Sequence, residues 1–159
     1  ELHSVPCEDD IELGPLSEEV LTDLAPLAEH KDIVLNCSGG ALIIGSDTLL
    51  YRLVFNLVEN AIRYSRPGST VNVSICDNDS HVFLRVEDQG PGIPKQYRES
   101  IFQPFFRLDK SRSRAYGGAG LGLALVWEIA ALHGGTVEVE ASSENGTTML
   151  TTLPKRTAA

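Results

Sequence analysis

The sequence predicts an α+β fold, a two-layer sandwich with its helices gathered on one side of a sheet. Three observations predict it. Apolar residues recur at helical spacing between Thr48 and Ser65, and a second apolar helix follows the glycines that begin at Gly117. Four segments, STVNVSIC, HVFLRVED, TVEVE and TTMLTTLP, alternate apolar and polar residues as half-buried strands do. With 159 residues and 42% hydrophobic content, the chain can bury one real core but not two.

Residues 1–15 mix acids, Pro6, Gly14 and Pro15 without a period, and read as a linker or edge segment. The domain is expected over 16–155, with 156–159 as a tail. Ser17 is placed to cap a first helix running through Val20, Leu21 and Leu24, which Pro26 would kink or interrupt. DIVLN and ALII, separated by Ser38, Gly39 and Gly40, then read as a hairpin. Gly45, Ser46 and Asp47 open the most informative helix, whose apolar stripe holds Leu50, Val54, Leu57, Val58 and Ala61. Pro67 and Gly68 end it. STVNVSIC and HVFLRVED form an expected antiparallel pair, and TVEVE and TTMLTTLP a second one, joined through Ser142 to Gly146.

The long helix carries an anomaly. With Asn56 at 0°, Asn60 falls at roughly 40° and Arg63 at roughly 340°, so two carboxamides and a guanidinium share one edge beside the apolar stripe. Asparagine is an indifferent helix former, which gives the pair a reason only if their side chains act. Further on, Asp88 ends a strand and is followed by Gly90 and Gly92. Arg107, Lys110, Arg112 and Arg114 then lead into Gly118, Gly120 and Gly122. Four basic residues in a loop are by themselves more often a solvated run than a site. Here they precede glycines at a helix start, where backbone N–H groups can bind an anion.

The joint pattern is specific. NLVENAIRYS, VEDQGPGIP, IFQPFFRLD and GGAGLGLALV occur in this order, and together they resemble the N, G1, F and G2 boxes of the sensor histidine kinase catalytic domain. That domain belongs to the superfamily of gyrase, MutL and heat-shock chaperone ATPases. The likeness covers about residues 16–154. It implies the ATP-binding fold of that superfamily, a mixed sheet with helices on one face and a mobile ATP lid.

The resemblance also implies roles. Asn60 takes the position of the magnesium ligand, Asn56 contacts the phosphate and metal region, Arg63 reaches the phosphates, and Tyr64 packs on adenine. Asp88 accepts a hydrogen bond from the adenine amine, with Gly90, Gly92 and Ile93 around the base. Phe102, Phe105 and Phe106 would pack the hinge of the lid. Arg107 joins Asn56, Asn60 and Arg63 in the catalytic set, while Lys110, Arg112 and Arg114 cover the triphosphate. Gly118, Ala119, Gly120, Leu121, Gly122 and Leu123 form the phosphate loop, with Ala119 where many relatives have threonine.

ATP and Mg²⁺ are the implied cofactors. The implied reaction is γ-phosphoryl transfer to a histidine on a separate dimerisation and phosphoacceptor domain, which passes the group to a response regulator. The acceptor box itself is absent: His3, His30, His81 and His133 all lie in unsuitable contexts. Hydrolysing relatives place a glutamate base where this chain has Asn56, and Glu59 lies about 100° round the helix from Asn60, so transfer is favoured over hydrolysis. Two rival readings are an anti-sigma-factor-type serine kinase and a nucleotide-sensing scaffold without transfer activity.

Composition narrows the partners. Thirteen basic against 22 acidic residues leave a net charge of −9, which argues against nucleic acid. Three cysteines, Cys7, Cys37 and Cys76, stand in no metal-ligand spacing and read as free thiols in a reducing compartment. No apolar run approaches a membrane span. The expectation is a monomeric cytoplasmic fragment of a homodimeric inner-membrane sensor.

Overall fold

The computed structural model describes residues 9–106 and 122–155. The chain begins with β1 (Asp9–Glu12), which leads directly into α1 (Leu13–His30). The helix thus starts four residues before the cap expected at Ser17. Pro15 explains the difference: its fixed φ suits a first helical turn, where its missing N–H has no intrahelical partner to lose. Ser17 lies inside the helix, fully buried, and its Oγ has no hydrogen-bond partner among the described residues. Pro26 lies within α1 without ending it.

The expected hairpin between the next two strands does not form. β2 (Val34–Gly39) instead pairs in parallel with β4 (Thr70–Asp77), and β3 (Leu42–Gly45) pairs antiparallel with β1. Gly39 separates them: at φ +80 its backbone packs so tightly on β4 that an added Cβ would stand 2.0 Å from Ile75 O. Both antiparallel pairs read from the sequence are present. β4 pairs with β5 (His81–Asp88), while β6 (Thr136–Ser143) pairs with β7 (Gly146–Pro154), which also pairs with β5. The result is a mixed five-stranded sheet in the order β2-β4-β5-β7-β6, beside a two-stranded β1-β3 sheet.

The strand pairings align Val73, Val86, Met149 and Val139 in one row across the sheet, and Ile75 and Leu84 continue this face. It is buried under α1, α2 (Asp47–Tyr64) and α3 (Gly122–Leu132). Asn36, Asn72, Glu87 and Thr148 fall on the opposite face. α2 is the central helix. Ser46 caps it by accepting from Leu49 N at 3.2 Å, Asp47 complements the positive end of the dipole, and its apolar stripe is almost wholly buried. At the other end Lys31 Nζ donates to Ile62 O and Arg63 O at 3.1 and 2.5 Å, placing a cation on the last carbonyls.

His133 is structural, as its sequence context suggested. Only 2% exposed, it accepts from Ser46 N through Nε2 at 3.1 Å, and its Nδ1 lies 2.9 Å from Ile129 O. This arrangement requires the neutral Nδ1–H tautomer and ties the end of α3 to the start of α2. Burial pushes the imidazole pKa below its ordinary 6.5, partly opposed by the Ile129 carbonyl. The unfolded chain therefore takes up a proton near 6.5 while the native state resists it. Stability is complete above that pH and declines below it. Thermal unfolding between about pH 7 and pH 5 should show this decline in the native chain and a smaller one in His133→Gln. Equal slopes would remove His133 as its source.

Candidate functional site

The polar edge of α2 and the end of β5 build the site together. Asn56, Asn60 and Arg63 are half-buried along one side of α2, while Tyr64, at the last turn, is 39% exposed. Asn56 Nδ2 donates to Gly122 O at 3.5 Å and so touches the first residue of α3. Among the described residues the Asn60 carboxamide has no side-chain hydrogen bond, which leaves its oxygen available. Arg63 is engaged: its Nη2 lies 3.4 Å from Glu59 Oε2, one turn earlier on the same helix.

Asp88 ends the helix-facing row of β5, opposite Thr147 on β7, and is 8% exposed. Its Oδ1 accepts from Gly90 N at 2.9 Å and Thr147 N at 3.2 Å, while no described group donates to Oδ2. Burial raises its pKa above the ordinary carboxylate value, the two backbone N–H groups pull it back, and Glu87 adds a smaller upward push. Gly90 is buried against the last turn of α2, where an added Cβ would stand 2.3 Å from Tyr64 O. Gly92, at φ +88, passes so close to the β6–β7 turn that a Cβ would meet Ser143 O at 2.2 Å. These contacts are closed to any side chain, which explains both glycines. Ile93 N donates to Ser142 Oγ at 2.8 Å, and Ser142 Oγ lies 2.8 Å from Thr147 Oγ1.

The structure thus brings Asn56, Asn60, Tyr64, Asp88, Gly90, Gly92, Ile93 and Gly122 into one region between α2, the β5 end and the start of α3, where Leu123 packs on the core. Arg107, Lys110, Arg112, Arg114, Gly118, Ala119, Gly120 and Leu121 lie outside the described residues. Of the three phenylalanines expected at the hinge of the lid, Phe102 and Phe106 lie against the core, and Phe105 turns outward at φ +65 and is 70% exposed. Ser142 and Thr147 were invisible to sequence reasoning, because their place depends on β7 pairing with β5, far away in the chain. A cavity of about 590 Å³, lined by residues such as Asn36, Asn72, Glu87 and Thr148, opens on the helix-free face. It shares Asp88, Ser142 and Thr147 with the residues above.

The chain matches the family described as histidine kinase-, DNA gyrase B- and HSP90-like ATPase over residues 45–157. It belongs to that family, as an ATP-binding domain of the histidine kinase type. It is 37% identical to the sensor-like histidine kinase SenX3 of Mycobacterium tuberculosis over 152 residues, 94% of this chain and 37% of that protein. The mycobacterial sensor histidine kinase MprB has a similar structure, with a TM-score of 0.81 at 31% identity, covering 95% of this chain and 99% of that one. The histidine kinase ThkA, in complex with the response regulator protein TrrA, gives a TM-score of 0.76 at 25% identity, covering 94% of this chain and 42% of that chain. The chain spans little more than a third of the length of SenX3. Among the described residues no helix is long and apolar enough to cross a membrane.

Proposed function

We propose that the chain binds Mg·ATP beside α2 and donates its γ-phosphoryl group to a histidine on a separate dimerisation and phosphoacceptor domain, which serves a response regulator. The observation that carries this reading is the half-engaged carboxylate of Asp88. One oxygen is saturated by backbone donors and the other is available at the end of a strand. An exocyclic amine is the group that this oxygen suits, because a carboxylate only accepts. Tyr64 offers its ring beside the base.

Asn60 fits a magnesium ion through its uncommitted carboxamide oxygen, and Mg²⁺ favours such hard ligands while keeping waters and phosphate oxygens. When bound, the metal neutralises charge on the phosphates. Among the described residues no three carboxylate, imidazole or thiolate groups converge, so Asn60 and the nucleotide would supply the non-water ligands. Arg63, Arg107, Lys110, Arg112 and Arg114 provide cations for the triphosphate, and the glycines from Gly118 to Gly122 provide backbone donors.

In the transfer, the bond from the γ-phosphorus to the β,γ-bridging oxygen breaks and a bond to an imidazole nitrogen forms. ADP leaves, and the imidazole proton passes to solvent. The domain's share is positioning and charge neutralisation. Glu59 pairs with Arg63 one turn along the helix, which supports transfer over hydrolysis.

Radiolabelled ATP tests the proposal. The chain alone should retain no label and release phosphate slowly. Acid-labile label should appear on a phosphoacceptor domain added in trans, and slowly, because the two are untethered. Label on the chain itself, or brisk phosphate release without a partner, would overturn it. Acid-stable label on a serine would favour the serine kinase.

A further inference from the structure

Two arginines outside the four sequence boxes share an unusual arrangement. Arg66 Nη1 donates to Gln89 O at 3.1 Å and its Nη2 to Glu144 O at 2.5 Å. Arg98 Nε donates to Ile93 O at 3.2 Å and its Nη2 to Ser142 O at 3.1 Å. Each guanidinium therefore spans one carbonyl of the loop 89–93 and one carbonyl at the β6–β7 turn. They do so at opposite ends of that loop.

We propose that Arg66 and Arg98 are positioning residues for base recognition, a bracket that fixes the glycine loop after Asp88 to the β6–β7 turn. The inference rests on the reading of Asp88 as the adenine acceptor. Gly90 and Gly92 leave the loop free to turn on either side of Pro91, so part of its shape must be imposed from outside. The planar guanidinium fork can hold two carbonyls at a fixed separation, which an ammonium does not do. Asp88 shows why the register matters. Its Oδ1 takes one N–H from the loop, at Gly90, and one from the start of β7, at Thr147. Sliding one segment past the other would break one of these bonds and turn Oδ2 away from the base. Neither arginine touches nucleotide in this reading; they act through the carboxylate.

The double variant Arg66→Ala/Arg98→Ala of the full 159-residue chain tests the bracket. Both side chains lie at or near the surface, so the fold should persist. In the ligand-free protein, amide exchange at Gly90 and Ile93 should quicken by about tenfold as their hydrogen bonds open more often. ADP should bind about tenfold more weakly, while inorganic tripolyphosphate, which lacks a base, binds as before. The preference for ATP over GTP should shrink, and Arg→Lys at both positions should recover only part of it. Unchanged exchange would overturn the bracket, and so would tripolyphosphate losing as much affinity as ADP. If the native chain failed to bind ADP, the nucleotide reading would fall, while exchange, measured without nucleotide, would still decide the bracket.

Discussion

Replacing Asn60 with alanine should abolish phosphoryl transfer to an added phosphoacceptor domain while leaving the fold intact. The carboxamide is half-buried, makes no side-chain hydrogen bond among the described residues and sits mid-helix, where alanine is the better helix former by several tenths of a kcal/mol. Thermal stability should therefore hold or rise slightly. What disappears is the oxygen offered to magnesium. In the native chain, nucleotide affinity should differ between magnesium and a chelator, and in Asn60→Ala that difference should collapse. A variant that keeps the native difference would show that Asn60 is not the ligand. Asn56 serves as the internal comparison, since its Nδ2 is committed to Gly122 O. Asn56→Ala should loosen the junction of α2 and α3 and weaken nucleotide binding with and without the metal.

Asp88→Asn should separate stability from binding. An amide oxygen can still accept from Gly90 N and Thr147 N, so the loop keeps its anchor. Its NH₂ group then faces the position assigned to the adenine amine, donor against donor. The cost is that of a hydrogen bond to a charged group, about 1.5 to 3 kcal/mol, or roughly 10- to 150-fold in the ADP dissociation constant. Calorimetry showing unchanged affinity would remove Asp88 from the site. The melting temperature should move in the opposite direction. Because burial raises the folded-state pKa above 3.8, the native state takes up this proton before the unfolded chain does. That contribution is fully present below 3.8 and is gone once pH has risen through the folded pKa, so the ionised carboxylate costs stability at neutral pH. The asparagine variant escapes this cost, and it should melt above the native chain at pH 7.

How far the sequence could be read follows from the range over which each feature is determined. The stripe from Leu50 to Ala61, the Ser46 cap and the alternation in β4, β5, β6 and β7 are local patterns, and they fix the central helix and two antiparallel pairs. β2 and β3 defeated the same reasoning. The glycines between them look like a hairpin turn, yet β2 finds its partner in β4, across the intervening helix, and β3 finds its own in β1. The start of α1 was misplaced because a serine is a stronger textual signal than the Gly-Pro that opens the helix. At the site, Asn56, Asn60, Asp88 and the glycines are named by motif. Ser142, Thr147, Arg66 and Arg98 are named only by tertiary pairing, since arginine donating to main-chain carbonyls leaves no pattern in the sequence.

The pairing of Asp88 with Thr147 has a consequence for how the protein is made. The two donors that orient the carboxylate arrive at different times: Gly90 two residues after it, Thr147 only 59 residues after it. A chain emerging from the ribosome N-terminus first has the whole of α2 and β5 before it has β7. Through that interval Asp88 has one donor of two, and the Gly90–Ile93 loop has no turn to rest against. Nucleotide therefore cannot chaperone the early stages of folding, and it becomes a stabilising ligand only when β7 closes the sheet. A protein truncated before Gly146 should gain nothing from ATP in its resistance to proteolysis, whereas the full chain should be protected.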